Sequence, residues 1–149
     1  MAKHFLLYLF LVLPCISQAQ SKEVLEKYIH STLSYQHLKY NSERDSHLSI
    51  HEIKFNHCTM SYSIFKKIKD KTERFTVRIF LPGISKMAIK KGKEGFFVLS
   101  FTTNGKSIIK EYANGDLVHE KEQTIPLKKY DAKALDYVKK LKTTCQNKN

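Results

Sequence analysis

Two cysteines on two different kinds of apolar stripe constrain this chain more than any other feature. Cys58, Met60, Tyr62 and Ile64 occupy every second position of a segment typical of a half-buried strand, so they would share one face. Cys145 continues an apolar stripe at helical spacing near the C-terminus. A terminal helix packed on a sheet would bring both sulfurs to one interface, so the sequence predicts a Cys58–Cys145 disulfide.

An apolar run near the N-terminus predicts that the chain is exported. Residues 5–14 are almost wholly apolar, Lys3 precedes them, and Ser17 and Ala19 stand at the two small-residue positions of a signal-peptidase site. Residues up to Ala19 are therefore predicted to be a signal peptide, with cleavage leaving a mature chain of residues 20–149. The expected location is periplasmic or secreted, where disulfides persist.

Two other interpretations of the N-terminus stay open. The apolar run could remain as a short uncleaved anchor, or Cys15 could be the lipidated residue of a lipoprotein. Pro14 immediately precedes Cys15, where lipidation signals carry a small residue, and this disfavours the lipoprotein. The mature chain contains no stretch apolar enough to cross a bilayer, so we expect no transmembrane segment and a soluble protein.

The pattern along the mature chain predicts a single α+β domain. A first helix is expected from the N-cap Ser21 to about Tyr35, and a second from the N-cap Asp131. Between them we expect an antiparallel sheet of about five strands, covered on one face by the N- and C-terminal helices. The helical stripes consist of Val24, Leu25, Tyr28, Ile29, Thr32 and Leu33, and of Ala134, Leu135, Val138, Leu141 and Cys145.

The middle of the chain alternates between extended segments and polar breaks. Segments 47–55, 58–65 and 75–81 have the patterns of strands. Segment 36–46 is predicted to be a polar loop, and segment 66–73 a charged turn. The secondary structure of residues 84–95, which follow Pro82-Gly83, is ambiguous, because their composition suits either a short helix or a strand.

The first of two Asn-Gly pairs predicts a hairpin. Asn104-Gly105 suits a type I′ turn, because both central residues of that turn need positive φ. A two-residue loop would make Phe101 face Ile108 and Phe97 face Tyr112 on one side of the sheet.

The second pair, Asn114-Gly115, predicts a further hairpin in which Tyr112 also faces Leu117. The apolar face would then continue across a third strand. Lys110 falls on the same face, so it must lie at a rim or extend its stem to solvent.

The charge of the chain bears on its partners. It carries 26 Lys and Arg against 14 Asp and Glu, a net charge of +12 at pH 7. The predicted cleavage removes one Lys and no acid, so the mature net charge is +11. This charge favours an anionic macromolecule or envelope component: nucleic acid, lipopolysaccharide, phospholipid headgroups, acidic glycans or acidic proteins. The alternative is a solvated basic surface that serves solubility.

Histidines and carboxylates do not form a recognisable catalytic or metal-binding motif. His47 and His51 would lie about 13 Å apart on one strand face, too far to share a metal without a bend. The chain has no Gly-x-Ser-x-Gly motif, phosphate loop, dinucleotide fingerprint or RNA-recognition motif. We therefore predict no cofactor and no metal site, and assign no catalytic residue.

These observations leave two functional hypotheses. The first is an exported, non-enzymatic binding or interaction module with a basic surface. The second is a small exported hydrolase in which a carboxylate meets two or more of His47, His51, His57 and His119 in a deep pocket. Scattered, exposed histidines and a lysine-rich face would favour the binding module.

The order of elements resembles small secreted proteins of uncharacterised families common in Bacteroidetes-type bacteria. The similarity lies in a signal that ends Gln18-Ala19-Gln20, an early strand that contains Asn56-His57-Cys58-Thr59-Met60, the stretch Ile125-Pro126-Leu127 and a terminal helix that ends in a cysteine. The resemblance implies no activity and supplies no functional residues.

Overall fold

A computed structural model of the chain describes residues 22–40, 46–92 and 95–147. The predicted signal peptide and the N-cap Ser21 lie outside the described residues. Helix α1 spans residues 22–33, and helix α2 spans Ala132–Gln146. Between them lie strands β1 (Gln36–Tyr40), β2 (Ser46–Ile50), β3 (Lys54–Asn56), β4 (Thr59–Ile68), β5 (Lys71–Phe80), β6 (Lys86–Lys91), β7 (Phe97–Thr102), β8 (Ile108–Tyr112), β9 (Leu117–His119) and β10 (Glu122–Leu127).

The strands form two antiparallel sheets. The larger has the order β1-β2-β4-β5-β8-β9, with β3 pairing on β4 beyond the end of β2. The smaller has the order β10-β7-β6. The predicted α+β class is confirmed, with an antiparallel sheet and a helix at each end of the strand region. The strands are more numerous than expected and divide between the two sheets.

The centre of the core is formed by the apolar residues at every second position of the long β4–β5 hairpin. Met60 and Tyr62 face Ile79 and Val77 across the hairpin, and all four are buried. The buried cluster extends to α1, to the smaller sheet and to α2, because each contributes one apolar face. The additional core residues include Leu25, Ile29, Leu33, Leu99, Phe101, Ile125, Val138 and Leu141.

The two helices meet at their polar margins. Asp131 is the N-cap of α2, as predicted, and its carboxylate accepts a hydrogen bond from the Ala134 amide at 3.0 Å. The Tyr28 hydroxyl of α1 donates to the same carboxylate at 3.1 Å, and burial together with Asp131 raises the pKa of this phenol. Val24 departs from the predicted stripe and is exposed, since the core side of α1 is formed by every third or fourth residue from Leu25.

The predicted disulfide is confirmed. Cys58 and Cys145 are bonded, with their Cα atoms 5.8 Å apart. Cys58 lies in the turn between β3 and β4, where Asn56 pairs with Thr59. Both central residues of this turn, His57 and Cys58, have positive φ, as a type I′ turn requires. Neither is a glycine, so the turn holds backbone strain of about 1–2 kcal/mol per residue.

The predicted hairpin at Asn104-Gly105 is wrong. Strand β7 pairs with β6 and β10, whereas β8 pairs with β5 and β9. Neither Asn104 nor Gly105 has positive φ. The Thr103 hydroxyl donates to the Gly83 carbonyl at 2.8 Å and accepts from the Gly105 amide, so the loop is fixed as a crossing between sheets.

The second Asn-Gly pair does join two neighbouring strands, but with a shifted register. Tyr112 and Asp116 close a three-residue loop through the Tyr112 amide, and Gly115 has φ of +90°. This is a type I turn followed by a left-handed glycine rather than a two-residue type I′ turn. Leu117 therefore pairs with Glu111 instead of Tyr112, lies off the core face and is exposed.

Lys110 occupies the rim position expected for it. It pairs with Val77 on the core-facing side of the larger sheet. Its ammonium group lies 3.0 Å from a Glu120 carboxylate oxygen and 5.5 Å from the centre of the Phe75 ring. The stem thus covers apolar surface while the charge is paired.

Two further segments differ from their predicted structure, and a third had no single prediction. The predicted polar loop contains β1, which is held by backbone pairing with β2. The predicted charged turn shrinks to Lys69-Asp70, because exposed charged residues continue β4 and β5 to the hairpin tip. The ambiguous stretch 84–95 contains strand β6, which forms an edge of the smaller sheet.

Removal of the disulfide should destabilise the protein strongly. The bond spans a sequence separation of 87 residues, and on the chain-entropy model such a loop contributes about 4–5 kcal/mol. We expect the Cys58→Ala/Cys145→Ala variant to lose at least about 2 kcal/mol in urea unfolding. Reduction of the wild-type protein should have the same effect and should raise amide exchange in α2 first. A loss below about 1 kcal/mol would contradict a structural role.

Relief of strain at His57 should stabilise the fold. Asn tolerates positive φ better than His, so His57→Asn is expected to raise the free energy of unfolding by about 0.5 kcal/mol. The exposed His119, which lies on strand β9 without positive φ, provides the control. His119→Asn should leave the melting temperature unchanged or lower it. An equal gain in stability from both variants would contradict backbone strain at His57.

Candidate functional site

Two of the concave regions in the described part of the chain are lined mainly by polar side chains. The first, here called the lysine groove, lies between the end of α2 and the start of β6. The second, here called the outer cleft, lies on the face of the larger sheet that points away from the core. The groove is lined by Ser85, Lys86, Met87, Lys139, Lys142, Thr143 and Gln146, and the cleft by Tyr35, His51, Glu52, Lys54, Ser61, Tyr62, Ser63 and Thr76.

Helix α2 positions the lysine groove. Val138, Leu141 and Cys145 point into the core, which turns Lys139 and Lys142 towards the neighbouring strand. The helix contacts β6 and the 3-10 turn before it. The disulfide at Cys145 ties the last turn of α2 to the β3–β4 turn, which restrains the end of the helix that lines the groove.

The groove concentrates positive charge. It encloses about 240 Å³ and is lined by three lysines and no carboxylate. Lys142 donates from its ammonium group to the Ile84 carbonyl at 2.5 Å, which fixes that charge beside the strand. Within the described part of the chain, no carboxylate lies within ion-pair distance of Lys86, Lys139 or Lys142. These positive charges are therefore uncompensated.

The outer cleft has a floor of hydroxyl groups. Ser61 and Ser63 alternate with the core residues of β4 and so point to the opposite face. Thr76 pairs with Ser63 across the hairpin, and their hydroxyl oxygens are 3.5 Å apart. The cleft encloses about 360 Å³, within the range of about 300–1,000 Å³ typical of small-ligand sites.

The walls of the outer cleft are charged and aromatic. Glu52 lies 3.1 Å from the Lys54 ammonium and 3.8 Å from His30. Hydrogen bonding and attraction to Lys54 lower the pKa of the Glu52 carboxyl, which keeps it ionised. The aromatic part of the lining is Tyr35, which follows α1, has φ of +56° and exposes 57% of its surface.

The conformation of Tyr35 is unusual for its residue type. A helix commonly ends with a left-handed residue, but that residue is normally Gly or Asn. A bulky residue there costs about 1 kcal/mol or more relative to Gly. Because the ring is largely exposed, core burial offsets little of this cost.

Of the four histidines in the hydrolase hypothesis, only His51 lines the outer cleft, and His47 is exposed on β2. His51 lines the outer cleft with Glu52, and its ring packs 4.3 Å from that of Phe65. His57 is exposed in the β3–β4 turn and His119 is exposed on β9. Four strand-to-strand steps separate the His51 edge from β9, a distance of about 19 Å.

The described residues also lack a metal-ligand cluster and a membrane-spanning helix. No three His, Cys, Asp or Glu side chains within ranges 22–40, 46–92 and 95–147 are arranged to hold a metal ion. In the same ranges, neither helix combines the length and apolar character required to cross a bilayer. Comparisons with protein-family models, curated proteins and solved structures found no match.

Sequence reasoning missed both concave regions. Lys139 and Lys142 stood out only as residues off the apolar stripe of α2, and Lys86 lay in a stretch of ambiguous structure. Tyr35 was expected only as the end of a helix. The positive φ at Tyr35 has no sequence signature, and the groove joins residues more than fifty positions apart.

The Glu52–Lys54 pair can be tested by titration. Removal of the ammonium group in Lys54→Met should raise the pKa of Glu52 towards its ordinary value, as measured by NMR of the side-chain carboxyl carbon. Since the folded-state pKa is lowered, the pair stabilises the fold above the ordinary pKa of Glu and loses this effect as the pH falls through the folded-state value. Lys121→Met is the control, and equal titration curves for wild type and Lys54→Met would disprove the pairing.

Proposed function

We propose that this protein is an exported, non-enzymatic binding module that engages an anionic macromolecule or envelope component through the lysine groove. The observation that carries the proposal is the convergence of Lys86, Lys139 and Lys142 on a concave surface without a carboxylate. An anionic group bound there would relieve the mutual repulsion of the three ammonium groups.

The chemistry of the groove suits a repeating or diffuse anion. Lysine ammonium groups are flexible point charges, whereas bidentate recognition of a single carboxylate or phosphate favours arginine. Lys86 and Lys139 are exposed and free to follow a ligand, while Lys142 is anchored to the Ile84 carbonyl. This combination provides one fixed charge and two adaptable ones.

Ion pairs elsewhere on the surface support the choice of the lysine groove as the anion-binding site. Five acidic side chains of the described residues are within ion-pair distance of Lys or Arg: Glu26 with Lys22, Glu52 with Lys54, Glu111 with Arg78, Glu120 with Lys110, and Glu122 with Lys90. These cations are already neutralised, so they contribute less to the capture of an anion. The three groove lysines are not engaged in this way.

Two further observations support the remaining parts of the proposal. The Cys58–Cys145 disulfide fits an oxidising compartment, in agreement with the predicted signal peptide. The separation of His51 from His119 keeps these two histidines from meeting at one carboxylate, which supports a binding module over a hydrolase built on that pair.

The test is binding of a labelled polyanion, heparin, to the mature protein as a function of salt. We compare Lys86→Gln/Lys139→Gln/Lys142→Gln with Lys66→Gln/Lys67→Gln/Lys71→Gln, which removes the same charge from the β4–β5 hairpin tip. The groove variant should bind at least about tenfold more weakly near physiological salt, and the slope of log K against log salt should fall by about one per contacting lysine.

The matched variant distinguishes a site from general charge. It should lose much less affinity than the groove variant, since its lysines lie far from α2 along the larger sheet. Equal losses in the two variants would show that net charge alone attracts heparin. Binding that persists unchanged into high salt would remove electrostatic attraction as the driving force.

A further inference from the structure

The outer cleft combines an exposed aromatic wall with a hydroxyl floor. Tyr35 stands at its edge in a backbone conformation that glycine would adopt more readily. The residue exposes 57% of its surface, and its ring makes an edge contact with His30 at 6.5 Å between ring centres. The positive φ of Tyr35 is unfavourable and its exposed ring adds little to stability, so this residue points to a role in binding.

The floor offers hydrogen-bonding side chains rather than backbone groups. Strand β4 is paired on both sides, with β3 and with β5, so its amides and carbonyls are largely engaged. The Ser61 hydroxyl, in contrast, has no hydrogen-bond partner within the part of the chain that the structure describes. Ser63 and Thr76 add two more hydroxyl groups that can both donate and accept.

The charges of the cleft cancel. Glu52 and Lys54 form an ion pair at 3.1 Å, leaving donors and acceptors but no net charge between them. A carboxylate at this wall would repel an anionic ligand, in contrast to the lysine groove. The favoured ligand is neutral, rich in hydroxyl groups and has an apolar face that can lie on an aromatic ring.

We propose that the outer cleft binds a neutral saccharide. The C–H face of a pyranose ring would pack on Tyr35, while its hydroxyl groups would exchange hydrogen bonds with Ser61, Ser63 and Thr76. Glu52 and Lys54 supply a charged acceptor and a charged donor, which form stronger hydrogen bonds than neutral groups. This site does not depend on the proposed function, because it shares no lining residue with the lysine groove.

The experiment is an NMR titration of the isotope-labelled mature protein, with its disulfide intact. The probes are maltose, cellobiose, N,N′-diacetylchitobiose and a mannobiose, each a neutral disaccharide. At least one should shift the amide signals of residues 35, 51–54, 61–63 and 76 in a saturable manner. The groove variant described above should bind that sugar as the wild type does.

Substitutions at Tyr35 separate a ligand-binding role from a structural one. Tyr35→Gly relieves the positive φ, so its melting temperature should equal or exceed that of the wild type, while sugar affinity should fall about tenfold. Tyr35→Phe keeps the ring and should keep most of the affinity. Tyr130, which is equally exposed outside the cleft, provides the matched control as Tyr130→Gly.

A second variant tests the floor without touching the strained residue. Thr76→Val preserves shape, removes one hydroxyl and should weaken sugar binding without affecting heparin binding. The proposal is overturned if none of the four disaccharides produces saturable shifts at the cleft, or if the shifts lie elsewhere. It is also overturned if Tyr35→Gly binds the sugar as well as the wild type does.

Discussion

The bond between Cys58 and Cys145 connects a turn with two consecutive non-glycine residues at positive φ to the last turn of α2. His57 and Cys58 hold positive φ without the help of glycine, and a turn of this kind persists only where its surroundings determine it. At the other end of the bond, α2 is anchored to the core by a short stripe. The disulfide therefore restrains both the tight β3–β4 turn and the position of the helix that forms one wall of the lysine groove.

The packing of helices on one side of the strands separates two kinds of surface. On the core side, apolar residues of α2 are buried and its lysines are displaced to the margin, beside β6. On the other side, the central strands present serine, threonine and charged residues. The outer cleft thus follows from the alternation of β4 and β5, and the lysine groove follows from the single apolar stripe of α2 beside β6.

The chemistry of the two regions differs because their charges are arranged differently. In the groove, three lysines are gathered without a carboxylate, so the fold concentrates a surplus that looks evenly scattered along the chain. In the cleft, Lys54 is matched by Glu52 two positions away. The net charge favoured an anionic partner. It did not show where on the surface the positive charges lack a neighbouring carboxylate, or where they are paired with one.

Local patterns in the sequence determined the elements whose structure depends on near neighbours. The alternation from Met60 to Ile64 and the Asp131 cap with its apolar stripe were predicted correctly, because burial of one face and capping of a helix end are short-range requirements. Cys58 was expected to begin this strand, but it lies in the preceding turn with positive φ. Its disulfide partner was nevertheless predicted across a separation of 87 residues, because both cysteines adjoin apolar stripes that pack into one core. Tertiary structure decided which strands pair: β7 and β8 flank Asn104-Gly105 yet belong to different sheets. A turn sequence specifies a permitted backbone, whereas the choice of partner strand depends on core packing between residues far apart in the chain, and that packing also assembled both candidate sites.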